Sequence, residues 1–225
     1  MTISNHELAT MRAAVRFASP AVGRDYEHYC TPPTGLRDKN PGAWAWADTW
    51  QRGSLFAHGP EGTGKSSMAR YLICRGLGMK VCPRDFEYEY LPLAAYDLYA
   101  PDLQLAASDG SFDGQRNLRH MVDRARYSSL LLIDDIDRAH WDGRGLDALR
   151  SIVNYRHEHR YTIFVTSNRN PKDLGAWMTE RHDGDKVGAM SLLRRMRPMK
   201  LWTFTGDSYR LQLTETETAT ERTAT

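Results

Sequence analysis

The chain has 225 residues, 41% of them hydrophobic and 26% charged, with a formal net charge of +2, which is an ordinary globular composition and enough for one α/β domain with a full core. No apolar run reaches the roughly 18 residues of a membrane span, and the N-terminus lacks the charged start, apolar stretch and cleavage site of a secretory signal, so a cytoplasmic protein is expected. Three cysteines, Cys30, Cys74 and Cys82, form no C-x-x-C pair, which argues against a disulfide framework or a zinc ribbon.

Residues 1–42 read as an N-terminal arm. "NHELATMRAAVRFA" puts Leu8, Met11, Ala14 and Val15 on one face of a weakly amphipathic helix that Ser19-Pro20 ends, and "CTPPTGLRDKNPG" reads as a linker closing near Gly42. Residues 43–212 form the domain proper. "AWAWADTWQR" offers a helix with Trp46 and Trp50 on one face, packed on the sheet. Strand and helix signals then alternate, which predicts a parallel sheet with crossover helices. Residues 54–58 read as a short buried strand, "KSSMARYLICRGL" as a helix, "DFEYEYLPL" as a strand and "AAYDLYAPDL" as the start of the next helix. Residues 106–115 read as a polar loop and 115–126 as a basic helix. "SLLLIDDID" is a buried strand. In "LDALRSIVNYRHEHR" Leu146, Leu149, Ile152, Val153 and Arg156 share one helical stripe. "YTIFVTSN" is the next strand, Asn170 and Pro171 open a further helix, and "KLWTFTG" closes the sheet. The Thr- and Glu-rich 213–225 segment cannot bury enough apolar surface to fold and is expected to be disordered. Basic residues gather at Arg150, Arg156 and Arg160 and again at Arg194, Arg195, Arg197 and Lys200.

Two motifs carry chemistry. "GPEGTGKSS" matches G-x-x-x-x-G-K-[ST], a phosphate loop between a strand and a helix: Gly59, Pro60, Glu61, Gly62, Thr63, Gly64, Lys65, Ser66 and Ser67 would cradle the phosphates of ATP with inward N–H groups. Lys65 is expected on the β- and γ-phosphates and the Ser66 hydroxyl on Mg²⁺. "LLLIDDID" ends a buried strand in carboxylates, of which Asp134 would hold Mg²⁺ and Asp135 would act as general base toward water. Asn168, at the end of the "FVTSN" strand, is placed to sense the γ-phosphate.

GPEGTGKSS, LLLIDDID, NYRHEHRYTIFVTSN, LLRRM and GDSYR, in that order over about residues 50–210, resemble the DnaC-type helicase loaders and IstB-type transposition helpers within the AAA+ ATPases. The resemblance implies an α/β fold: an AAA+ P-loop NTPase core, its parallel sheet sandwiched by helices, without a C-terminal lid domain. It also implies an arginine that enters the neighbouring subunit's ATP site, falling on Arg195 with Arg194 in reserve, and hence head-to-tail self-assembly when ATP is bound. The implied partners are a hexameric replicative DNA helicase, gripped through residues 1–40, and single-stranded DNA, with Phe112, Arg116 and Arg119 as contact candidates. Asp135 stands where the family usually has glutamate, which points to slow hydrolysis or a binding switch. An IstB-like helper on duplex DNA, a small-metabolite kinase with "ERHDGDKVGAMSLLRR" as its lid, and a nucleotide-binding protein without useful turnover are the competing readings. Tyr209 and Arg210 belong to the family pattern without an evident chemistry.

Overall fold

A computed structural model of the chain describes residues 4–18, 28–79, 95–181 and 186–209. The helices among them are α1 (Asn5–Ala18), α2 (Thr34–Lys39), α3 (Pro41–Thr49), α4 (Lys65–Gly78), α5 (Ala100–Ser108), α6 (Phe112–Tyr127), α7 (Gly143–Glu158), α8 (Pro171–Arg181) and α9 (Lys186–Met196). The strands are β1 (Leu55–His58), β2 (Ala95–Tyr99), β3 (Leu130–Asp134), β4 (Thr162–Ser167) and β5 (Lys200–Thr203). They form one parallel sheet in the order β2-β3-β4-β1-β5. β3 is buried along its whole length, as expected of a strand covered on both faces.

The pleat sorts the core into two layers. Leu130 and Leu132 join Leu55, Ala57 and Phe164 beneath α1, α3 and α4, where Trp44, Met68, Tyr71 and Leu72 pack. Leu131 and Ile133 point the other way, to Leu103, Leu149, Ile152 and Leu174 of α5, α7 and α8. The result is the sandwich of a parallel sheet between helices that the motifs implied. The register pairs His58 with Ser167 and Ile133 with Val165, so the C-terminal ends of β1, β3 and β4 finish level at one edge. β1 also lies between β4 and β5, where the chain changes direction across the sheet, and crevices for ligands form at such switch points.

Several sequence expectations are revised. The run "AYDLY" supplies strand β2, in which Ala95 and Leu98, three apart and so on opposite faces, reach the two core layers, and the helix starts after it, with Pro101 in its first turn. "DFEYEYLPL" lies outside the described residues, as do Cys82 and the 213–225 tail. The 106–115 loop shrinks to residues 109–111: Ala106 and Ala107 are buried in α5, and Ser111 caps α6 by accepting the Gly114 N–H at 3.0 Å. The first helix does not stand off the domain. A capping box between Ser4 and Glu7 starts α1, and Met11 and Val15 are buried against α4 in the main core. No helix among the described residues is long and apolar enough to cross a membrane.

Arg156 is the largest surprise, since charge pattern grouped it with a solvated basic face. It is fully buried. Its Nη1 donates to the carbonyls of Ala125 (2.7 Å), Arg126 (3.2 Å) and Ser128 (2.7 Å), and Nη2 to those of Ser129 (3.3 Å) and Thr162 (2.5 Å). One guanidinium thus ties the end of α6 and the entries of β3 and β4 to α7. Burial pushes its pKa down to about 9, still above neutral pH, so it is a cation when it makes these bonds. Arg156→Met is expected to destabilise the fold by about 3 kcal/mol or more in urea unfolding, because five carbonyls lose a charged donor. Arg156→Lys, with one compact donor group, should recover only part of that loss.

Candidate nucleotide site

The loop between β1 and α4 is folded tightly against the end of the domain. Gly62 has φ 75°, and a Cβ there would sit 1.9 Å from Ser208 Oγ; at Gly59, φ 140°, it would sit 2.1 Å from the Phe204 carbonyl oxygen. Only glycine satisfies both the backbone angle and the approach. The Tyr209 N–H donates to the Gly62 carbonyl at 2.9 Å. Asn40 adds a brace from the other side, its Nδ2 donating to the carbonyls of Thr63 (3.5 Å) and Thr205 (3.3 Å) while its Oδ1 accepts the Thr205 N–H (3.0 Å). Lys65 opens α4, and its Nζ donates to the carbonyls of Gly59 (2.8 Å) and Pro60 (2.6 Å) and to Asn168 Oδ1 (3.1 Å). Burial lowers the Lys65 pKa against the opposing pull of Asp135, Asp137 and Asp134, which leaves an ammonium in need of anionic partners.

Asp134, at the end of β3, collects the other elements. Its Oδ1 accepts the hydroxyls of Ser66 (2.7 Å) and Thr166 (2.5 Å), and its Oδ2 accepts Arg70 Nη2 (2.7 Å). Arg70 also donates through Nε to Asp97 Oδ2 at 2.7 Å. Asp135 has the left-handed backbone φ of 54°, an uncommon conformation for a residue other than glycine. It is held there by its N–H donating to Thr166 Oγ1 at 2.9 Å. Burial, and then the neighbouring Asp134, raises the Asp135 pKa, with Arg138 partly offsetting them. Arg138 lies 3.4 Å from Asp135 Oδ2 and 2.7 Å from Glu61 Oε2, joining the phosphate loop to the acidic strand end. Asn168 is fixed by its N–H donating to Asp137 Oδ1 at 2.9 Å.

These groups surround a cleft of about 750 Å³. Glu61, Gly62, Gly64, Lys65, Ser66 and Ser67 line one side, and Asp134, Asp135 and Asn168 face them. Gly59, Pro60 and Thr63 are not among the cleft-lining residues: the first two hold Lys65 through their carbonyls, Pro60 being exposed, and Thr63 is buried with its hydroxyl on the Pro60 carbonyl at 2.8 Å. Tyr29, Pro33, Leu36 and Tyr209 also line the cleft, offering apolar and aromatic surface of the kind a base packs against. The tryptophans of "AWAWADTW" do not line it: Trp44 and Trp50 are buried in the core, in keeping with the expected packing on the sheet, and Trp46 packs on Trp202. Arg194 and Arg195 end α9 and are not among the cleft-lining residues; Arg195 donates to Ser191 Oγ at 2.5 Å. A loop whose glycine positions would be filled by any Cβ, a lysine at a helix N-terminus and the hard oxygen pair of Ser66 and Asp134 fit a nucleotide triphosphate with Mg²⁺.

Arg70, Asp97, Arg138 and Asn40 were not singled out by the sequence motifs. Arg70 alone left a signal: it lies one helical turn after Ser66, at the i, i+4 spacing that puts both on one face. Thr166 lay inside the quoted strand without an assigned role, and the structure gives it one, orienting Asp134 and Asp135 together.

The profile of the family described as "ATPase family associated with various cellular activities (AAA)" matches residues 55–185. Among solved structures, DnaI is 18% identical with a TM-score of 0.57, over 86% of this chain and 94% of that one. The DnaC helicase loader is 14% identical with a TM-score of 0.50, over 81% and 100%. AMPPCP-bound DnaA from Aquifex aeolicus is 17% identical with a TM-score of 0.50, over 83% of this chain and 52% of that chain. At these identities the likeness is one of fold. No curated protein sequence matches the chain.

Asp135→Asn is expected to lower the rate of phosphate release from ATP by roughly a hundredfold, the scale of a lost general base, while leaving nucleotide binding in place. Parallel steady-state turnover and fluorescent-nucleotide titrations check both halves; equal loss in both would instead make Asp135 a binding group.

Proposed function

The chain belongs to the AAA family of ATPases, and from that premise we propose that it uses the ATP cycle to load a hexameric replicative helicase onto single-stranded DNA. The observation that carries the reading is the meeting of phosphate loop, acidic strand end and Asn168 in one cleft of a core that has the fold of DnaI and the DnaC helicase loader. In this cycle Lys65 exchanges the Gly59 and Pro60 carbonyls for phosphate oxygens. Ser66 and Asp134 hold Mg²⁺, which when bound neutralises charge on the phosphates. Asp135, locked by Thr166 and Arg138, takes a proton from the attacking water. Asn168, attached at once to Lys65 and Asp137, registers the terminal phosphate. The shorter reach of Asp135 relative to glutamate suits a slow, switch-like cycle.

The outer surfaces support the partner roles. Phe112 is 81% exposed, and Arg116 and Arg119 face solvent beside it on α6, a stacking ring next to cations as single strands require. The solvent side of α1 presents His6, Glu7 and Arg12 for the helicase, since its other side is committed to α4. Arg195 ends α9 away from the chain's own cleft, which suits action on a neighbouring subunit in a head-to-tail assembly. None of the described residues of α9 lines the cleft, so the kinase reading lacks its arginine lid among them.

Turnover per chain is expected to rise with protein concentration, and Arg195→Ala to lower the rate of the assembled form by roughly a thousandfold, the low end for a trans-acting arginine, with ATP binding retained. Capture of the replicative helicase by the full chain should require ATP and weaken when Arg12 on α1 is reversed to Glu. Concentration-independent turnover would remove the assembly step, and helicase capture indifferent to ATP would remove the loading switch.

A further inference from the structure

The cation that engages Asp134 belongs to the chain itself. Arg70 stands one turn after Ser66 on α4, so both side chains reach the same carboxylate: Ser66 Oγ at Oδ1 and Arg70 Nη2 at Oδ2, each at 2.7 Å. With Thr166 Oγ1 also on Oδ1, both Asp134 oxygens are engaged. The guanidinium is forked rather than pendant. Its Nε holds Asp97 Oδ2 at 2.7 Å and its Cζ lies 5.3 Å from the centre of the Tyr29 ring, so it has a second carboxylate and an aromatic face besides Asp134. Asp97 and Arg70 both line the cleft. Burial opposes the Arg70 charge, but Asp97 and Asp134 outweigh it and raise its pKa; the group is a permanent cation.

We propose that Arg70 is a built-in counter-cation of the magnesium position, which occupies Asp134 when the cleft is empty and must release it, falling back on Asp97 and Tyr29, for Mg²⁺ to enter. This rests on the nucleotide-site reading given above and deepens it. Two cations on the two oxygens of the Asp134 carboxylate repel each other, so a metal ion bound there is opposed by the charge-assisted hydrogen bond that Arg70 makes to Oδ2. Arg70 thereby sets the Mg²⁺ concentration at which the site closes on nucleotide. It is a positioning and competing group, and no phosphate contact is assigned to it.

The test is a Mg²⁺ titration of fluorescent ATP-analogue binding to the full chain, comparing wild type with Arg70→Gln and Arg70→Lys. Arg70→Gln should lower the half-saturating Mg²⁺ by about tenfold, the value of a charged hydrogen bond to a carboxylate. The difference between this variant and wild type should shrink as Mg²⁺ rises, as competition for one carboxylate requires. Arg70→Lys, which keeps the charge but cannot fork between two carboxylates, should fall between; it carries the test by itself if the glutamine variant does not fold in a circular-dichroism melt. An unchanged or higher Mg²⁺ requirement in the variants, with wild-type binding intact, overturns this inference alone. Nucleotide affinity lost equally at every Mg²⁺ level would make Arg70 a phosphate ligand and overturn it as well. A wild-type chain that binds no nucleotide at any Mg²⁺ level would overturn the nucleotide reading, and this inference with it.

Discussion

The site is organised around one carboxylate. Asp134 stands one residue beyond the Ile133–Val165 pair of β3 and β4, and it joins β3 to β4 through Thr166 and to α4 through Ser66 and Arg70. A buried charge is tolerated only when its lone pairs are filled, and here the donors come from two elements, Ser66 and Arg70 from α4 and Thr166 from β4. The parallel order β3-β4-β1 is what makes this possible, because it brings the ends of three strands and the start of one helix within reach of a single side chain. Had β4 not lain between β1 and β3, Thr166 would not reach both Asp134 and the Asp135 backbone, and the left-handed turn at Asp135 would lose its support.

The phosphate loop depends on a second constraint, enclosure from two sides. Leu36 and Asn40 approach from the N-terminal segment, and residues 204–209 approach from beyond β5. The "GDSYR" pattern acquires a physical meaning there: Ser208 sits where any Gly62 side chain would go, and the Tyr209 backbone N–H holds the loop while its ring lines the cleft. A movement of the loop around a phosphate therefore pulls on Asn40 and on the segment after β5 at once. That is a mechanical route from the nucleotide to the helices that precede β1, along packed and hydrogen-bonded groups.

The fold was legible wherever a local pattern reflected burial. β3 and β4 are continuous apolar runs, and the stripe from Leu146 to Arg156 marks one face of α7. It was illegible where tertiary partners decide. "AYDLY" carries both helix and strand signals, and only its pairing with β3 makes it a strand. Arg156 stood both on that stripe and in a basic cluster, and nothing local decides between the two, because the five carbonyls that surround it come from the end of α6 and the starts of β3 and β4. In the cleft the same distinction holds. Lys65, Ser66, Asp134, Asp135 and Asn168 were singled out because each belongs to a short motif, and the fold gathers them. Asn40 and Thr205, which brace the loop from positions 165 residues apart, have no motif to betray them.

The charges in the cleft explain why binding here must be an exchange. Lys65 is engaged by two loop carbonyls and Asn168, Arg70 by Asp97 and Asp134, and Arg138 by Glu61 and Asp135. Each of these three cations is paired within the chain, so a triphosphate gains only the difference between new and existing contacts, which lowers its net affinity. It also leaves little positive charge in reserve for the phosphate that separates during hydrolysis. Lys65 can be freed from neutral carbonyls at modest cost, whereas releasing Arg138 would leave Asp135 without its stabilising neighbour and raise its pKa further. A cation added from outside the chain avoids that conflict. This electrostatic argument calls for an outside cation without naming one; the role proposed for Arg195, in the last turn of α9 and not among the residues lining its own cleft, would meet that need.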